Sequence, residues 1–253
     1  MARIESRPAD APAFLKEIDR LLDEYVDGLR FFHEPFNQGR GYMFVMQHRL
    51  NSRYRNSVLK LKVAANCPDW ETRLRIIGAA SEEIIADHEF GGGLSHWKIL
   101  ENLGVAAGMR LEAITGATPL KTTQLAWNAS LGVMADTHWL EGLLANVIGE
   151  RINIPGYGSG PIREHGWFGF ERQRWKAVFG LPDETLGFFK LHEEADVIHS
   201  NIGWRKLAEK GEALKMEDIL VERARQCLAI RELYLNGIAD AGEALNGNLA
   251  AVR

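Results

Sequence analysis

The chain has 253 residues, 46% of them hydrophobic and 25% charged, with a formal charge of −4. That balance describes an ordinary soluble globular chain able to bury a full core, and it argues against a polyanion-binding protein, because Lys and Arg are scattered rather than striped. Only Cys67 and Cys227 are present, without a CxxC, so neither a disulfide framework nor a thiolate zinc site can be built.

In chain order, Met1 to Asp10 lacks an apolar h-region, and no run approaches the ~18 apolar residues of a membrane span. A cytoplasmic protein with no membrane and no nucleic-acid partner is expected. From Ala11 to Phe32, residues such as Phe14, Ile18, Leu21, Leu22 and Tyr25 recur at helical intervals, until Pro35 and the Asn37–Gly41 stretch. Tyr42 to Ala65 reads as a second helix, with Arg49, Arg53, Arg55, Lys60 and Lys62 interleaved among apolar residues. Asn66-Cys67-Pro68-Asp69 is a turn, and Asp69 is placed to cap a helix from Trp70. Helical period continues to Leu103, interrupted by Gly91-Gly92-Gly93. Thr122 to Asn153, mostly apolar and free of proline, reads as one long buried central helix. Pro155 to Gly169 reads as a glycine-rich loop. Asp183 or Thr185 caps a helix to about Lys210, and Met216 to Leu245 supplies the last. No stretch alternates as a strand does, so residues 1–253 are expected to form a single all-α bundle.

Eight histidines are available for chemistry. In His192-Glu-Glu-Ala-Asp196-Val-Ile-His199, the turn of about 100° per residue stacks three potential ligands on one stripe. Imidazole with carboxylate suits Fe, Mn or Zn, and the apolar flanks Leu191, Ala195, Val197 and Ile198 argue against a merely solvated face. Glu89-Phe-Gly-Gly-Gly-Leu-Ser-His96 repeats the seven-residue spacing, although three glycines would weaken a helix by about 1 kcal/mol each. Asp87 or Glu83 with His88 is the competing pair. Glu150 lies in a strongly apolar helix, where a carboxylate costs several kcal/mol unless coordinated or paired, for instance to Arg49 or Arg53. Glu141, after Trp139, reads as nearer the helix surface. Pooled, Glu89, His96, Glu150, His192, Asp196 and His199 offer three carboxylates and three imidazoles, a charge suited to two Fe(II) ions that bind O2.

At these residues the sequence resembles the haem-oxygenase-like diiron oxidases and oxygenases, relatives of pyrroloquinoline-quinone synthase C, of the TenA proteins and of the death-domain-associated para-aminobenzoate synthases. Glu89/His96, Glu150 and His192/Asp196/His199 match the family's Glu-x6-His, isolated Glu and His-x3-Asp-x2-His in order and spacing. Phe188-Phe189-x-x-His192 is similar to the aromatic run of the para-aminobenzoate synthases. Ala65–Asp69 with Thr72-Arg73, and Asp87-His88-Glu89, are similar to segments of the quinone synthase. The resemblance runs from about Phe31 to Leu245. It implies a seven-helix bundle, usually a homodimer, with two Fe ions and O2 as co-substrate, in which Glu89, Glu150 and Asp196 are the catalytic carboxylates. The full ligand set departs from the cofactor-free quinone synthase. The lysine that the para-aminobenzoate synthases need is replaced by Gly160, although Tyr25, Tyr42 and Tyr54 are candidates to lie near the site.

The expected function is an O2-dependent diiron oxidase or oxygenase acting on a small carboxylate or amino-acid-like metabolite, served by an external electron donor. The Phe168-Gly-Phe170-Glu-Arg172-Gln-Arg174 run is similar to a quinone-synthase segment and nominates Arg172 or Arg174 as a bidentate carboxylate clamp, against an ordinary surface pair. His138, Trp139, Tyr157 and Trp127 are candidates to line a pocket, the alternative being plain core. The Gly156–Gly160 loop is a candidate lid, with a phosphate cradle the weaker reading because no Lys-Ser/Thr follows. The alternatives are a metal-independent enzyme like the quinone synthase or TenA, and a non-catalytic small-molecule or metal-binding protein.

Overall fold

The structure is a computed structural model that describes Arg7 and residues 10–253, so most of the N-terminal reading above lies outside the described residues. The described chain is helical, with no strand and one isolated bridge, Asp87 to Leu94. The all-α expectation holds.

Helix α1 (Ala13–Gly28) buries Phe14, Leu15, Ile18, Leu22 and Val26 on one face, as its periodicity demands. The short α2 (Arg30–His33) leads to α3 (Gln38–Asn51), capped by Asn37, whose side chain accepts from Arg40 N. The segment read as one helix over Tyr42–Ala65 contains a wide π turn, Ser52–Asn56, before α4 (Ser57–Asn66). Asp69 caps α5 (Trp70–Ile84) by accepting from Thr72 N at 2.9 Å. Helices α6 (His96–Ala106) and α7 (Leu111–Thr115) follow a long turn.

The single central helix expected from Thr122 to Asn153 is two helices, α8 (Lys121–Ala135) and α9 (Trp139–Arg151). The break falls at Asp136-Thr137-His138. There the His138 ring accepts from Leu140 N, and Glu141 accepts from His138 N at 3.2 Å. Glu141 is buried against Arg223, not surface-placed. Helix α10 (Gly160–Phe179) starts well before the expected end of the glycine-rich loop. The long helices α11 (Gly187–Ala213) and α12 (Glu217–Asn246) complete the bundle.

Helix α12 is the hub, packing against α1, α3, α8 and α9, while α11 lies along α9. At the α3–α12 crossing a Cβ on Gly39 would stand 2.2 Å from Gly242 O, so the two backbones touch there and only glycine fits. Gly166 interrupts α10 with φ of 70°, against the Asn153 carbonyl. The Gly156–Gly160 loop is fastened to α1, with Gly158 N donating to Asp23 at 2.9 Å and Ser159 Oγ to Asp27 at 2.8 Å. It lines neither of the two cavities described below, so the lid reading fails.

Candidate active site

A cavity of about 160 Å³ runs through the bundle between α3–α5, α8, α9, α11 and α12. The stripe His192, Asp196 and His199 lines it as a unit, Glu150 reaches it from α9, and His96 enters from the first residue of α6. Five of the six residues singled out from sequence therefore meet around one space. Glu89 does not.

Gly92 and Gly93 adopt φ of 60° and 83°, and the Asp87 carboxylate accepts from Glu89 N and Phe90 N at 3.0 and 2.8 Å. That turn replaces the helix, so a seven-residue spacing no longer measures helical turns, and Glu89 is left exposed. Glu82 and Glu83, from the end of α5, stand on the cavity wall instead. His88 is exposed, whereas Asp87 and Glu83, its proposed partners, both contact His96.

The acidic end of the cavity is held by resident cations. Lys60 is buried, with Nζ 3.4 Å from Glu83 and 3.8 Å from Glu150. Glu83 also accepts from Ser52 Oγ and, at 2.6 Å, from Asn56 Nδ2. The π turn places both donors on one carboxylate, a use typical of such turns at functional sites. His96 Nε2 lies 3.1 Å from Asp87 and its Nδ1 3.5 Å from Glu83. Burial opposes the charged imidazole, but Glu83 and Asp87 outweigh it and raise the His96 pKa to about 9. Burial likewise opposes ionisation of Glu83, yet His96 and Lys60 hold it well below the usual carboxylate range. Asp196 goes the other way: burial and the Glu150 carboxylate push it well up, against the hydrogen bond from Asn153 Nδ2 at 2.6 Å.

His192 donates from Nδ1 to Phe188 O at 2.8 Å, which leaves Nε2 for the cavity that its ring lines. Burial and the charged His96, whose ring centroid is 4.9 Å away, keep it neutral. Glu82, Asp87 and His96 each offer a ligand atom within 4.8 Å of the others, a spacing one metal ion could bridge. Glu82, Glu150 and His199 also line a second cavity of about 280 Å³ between α5, α9 and α11, so these side chains partition two spaces.

The expected substrate contacts lie elsewhere. Arg172 pairs with Glu193 at 2.7 Å, and Arg174 with Glu171 and the Phe32 carbonyl, each at 3.2 Å, so neither clamp faces the cavity. His138 is an exposed cap, Trp139 is core, and Tyr157 is a buried partner of Asp19. Trp127 is half-buried under Arg55 rather than on the wall. Tyr42 donates to the Ala107 carbonyl, Tyr54 is exposed, and Tyr25 does not reach the cavity. Tyr234 does, beside His48, Arg55 and Arg231. One signal for this end was present: Cys227, Arg231 and Tyr234 have the same four-and-three spacing as His192, Asp196 and His199.

No protein-family model matches the chain, and no curated protein matches it in sequence. Among solved structures it is similar to a domain of unknown function with a heme oxygenase-like fold from Shewanella denitrificans OS217, with a TM-score of 0.70. The likeness covers 92% of this chain and 93% of that one at 14% identity. The chain therefore has the haem-oxygenase-like, all-α fold. Among the described residues no helix is long and apolar enough to cross a membrane.

Proposed function

We propose that the protein is a non-haem diiron, O2-dependent oxidase or oxygenase acting on a small carboxylate or amino-acid-like metabolite. The observation that carries the proposal is the convergence of Glu82, Glu83, His96, Glu150, His192, Asp196 and His199 on one cavity. The donor chemistry fits iron: four carboxylates and three imidazoles, with His192 neutral and its tautomer set by Phe188 O. His96 Nδ1 is buried and faces Glu83 at 3.5 Å without a hydrogen bond among the described residues, and Asp87 orients the ring from its far side. In this reading Glu82, which lines the cavity, would serve as a ligand in place of the exposed Glu89. Bound there, two Fe(II) ions would supply the electrons and open coordination positions that O2 chemistry requires.

The chain's own residues do the rest. In the metal-free protein Lys60 and the charged His96 neutralise the acids, and loading metal requires His96 to release its proton. Phe168 and Phe188 wall the cavity beside His192 and exclude water from that side. A cytoplasmic homodimer with an external electron donor belongs to the same reading.

A second reading, a metal-independent acid–base enzyme, is favoured by one observation: Lys60 already sits among the carboxylates where a metal would compete. Anaerobic reconstitution separates the two. About two Fe per chain, falling below one in His192→Ala, together with a visible absorption transient on O2 addition, is the diiron outcome. Folded protein that takes up no iron, or loses none in His192→Ala, ends it.

A further inference from the structure

The cavity has a second end whose charge is the reverse of the first. Arg55 and Arg231 both line it, and no carboxylate lies within 4.0 Å of either guanidinium among the described residues. Elsewhere in the fold the packed arginines Arg49, Arg151, Arg174 and Arg223 each meet an acid. Arg55 donates only to neutral oxygens, Asn51 Oδ1 at 2.9 Å and Ala126 O at 3.4 Å. Arg231 has no hydrogen-bond partner among the described residues; its guanidinium rests over the Trp167 ring at 5.2 Å. Burial lowers the pKa of both, that of Arg55 to about 10, and both remain cations.

Both arginines are half-buried and neither is in an ion pair among the described residues; Glu150 and Asp196 act on Arg231 only from beyond contact distance, so each guanidinium keeps capacity to bind an anion that enters the cavity. Arg231 lies close against α9, since a Cβ on Gly149 would stand 3.3 Å from its Nη1, one residue from Glu150. The space between is short and part apolar, walled by Met134, Ile148 and Phe188. The whole cavity, acidic end included, has a volume of about 160 Å³, close to that of the roughly 150 Å³ apolar cavity known to admit benzene, which sets an upper bound on the body of a ligand.

We infer that Arg231 and Arg55 form an anion subsite that grips the carboxylate of a small monocarboxylic acid, with a body no larger than about a benzene ring. The body then points along Ile148 and Phe188 toward Glu150 and His192. This deepens the reading above by naming the substrate's charged end and its size, but the subsite itself needs no metal.

The test uses the full chain, stripped of metal by chelator, with benzoate and benzamide as probes, read by calorimetry and by tryptophan fluorescence, Trp167 being the local reporter. Benzoate should bind and raise Tm, and benzamide should bind at least tenfold more weakly. Arg231→Gln and Arg55→Gln should each weaken benzoate by roughly tenfold or more and leave benzamide unchanged; Arg172→Gln should change neither. Arg231→Lys, which keeps the charge and loses the fork, should fall between wild type and Arg231→Gln. Benzamide binding as well as benzoate, or benzoate bound equally by Arg231→Gln and Arg55→Gln, overturns the subsite. So does benzoate that binds only after Fe(II) is added and equally in both variants, although the diiron reading then stands. Benzoate bound in the expected way by a protein that takes up no iron supports the subsite and ends only the diiron reading.

Discussion

The two ends of the cavity face each other across a few residues of α9 and solve the problem of buried charge in opposite ways. At the acidic end three of the four carboxylates meet a donor of the chain: Lys60, Ser52 and Asn56 on Glu83, Asn146 on Glu150 at 3.0 Å, Asn153 on Asp196. At the basic end Arg55 and Arg231 meet neutral groups or an aromatic face. One end is closed on itself until something displaces Lys60 or the His96 proton. The other is incomplete without a ligand. A compensated cluster should be fragile toward loss of its cations, and an uncompensated one should tolerate or welcome it.

The largest effect expected is at Lys60. Lys60→Met leaves Glu83 and Glu150 buried without their ammonium, and breaking such a contact typically costs about 3–5 kcal/mol. For a domain of this length that is a fall in Tm of roughly 10 °C, measured by thermal denaturation of the metal-free protein. If iron occupies this space, Fe(II) should recover much of the loss. A variant as stable as wild type would mean that the acids are already protonated and the cluster carries little charge.

Next in size is the contrast between Glu82 and Glu89. Glu82→Gln should lower Fe(II) affinity by about 10- to 100-fold, the scale seen when a group that holds or orients a ligand is lost. Glu89→Gln should leave affinity and folding stability within about 0.5 kcal/mol of wild type, because the residue is exposed. Anaerobic titration with an iron chelator as competitor measures both. The opposite ranking would put Glu89 back in the site.

This contrast marks where the sequence could be read and where it could not. His192, Asp196 and His199 were legible because all three lie on the unbroken helix α11, where 100° per residue is a reliable ruler. The same arithmetic failed at Glu89 because it was carried across Gly91-Gly92-Gly93, where the chain leaves the helix. Lys60 was seen only as one cation interleaved in a helix. Nothing local reveals that the π turn aims it, with Ser52 and Asn56, at a carboxylate twenty-three residues away. The all-α class was written in periodicity throughout, whereas the division of α8 from α9 depended on a histidine acting as a cap, a residue outside the usual capping set.

A smaller effect should appear in the pH dependence of the metal-free protein. His96 has a folded pKa of about 9, above the ordinary imidazole value. Its contribution to stability is complete below the unfolded pKa and is lost as pH rises through 9, since the folded state binds the proton that the unfolded state has released. The raised Asp196 acts in the same direction in its own range, because its folded form also holds a proton longer. Tm should therefore decline between about pH 6.5 and 9, and His96→Gln should flatten that decline. An unchanged slope in the variant would show that His96 is neutral, and that Glu83 and Asp87 do not govern it.

The smallest effect expected is the one that most sharply separates the two ends. Arg231→Gln removes a half-buried cation that is in no ion pair among the described residues, so the lost cation–π contact with Trp167 and the relieved desolvation act against each other. The net change in the unliganded protein should lie within about 1 kcal/mol of zero or be stabilising, opposite in sign to Lys60→Met. Denaturant midpoints for both variants, measured without ligand and without metal, put the two ends on one scale. Equal destabilisation by both substitutions would mean that Arg231 is held by Glu150 and Asp196 at long range, and that the cavity is one electrostatic unit with no free end for a carboxylate.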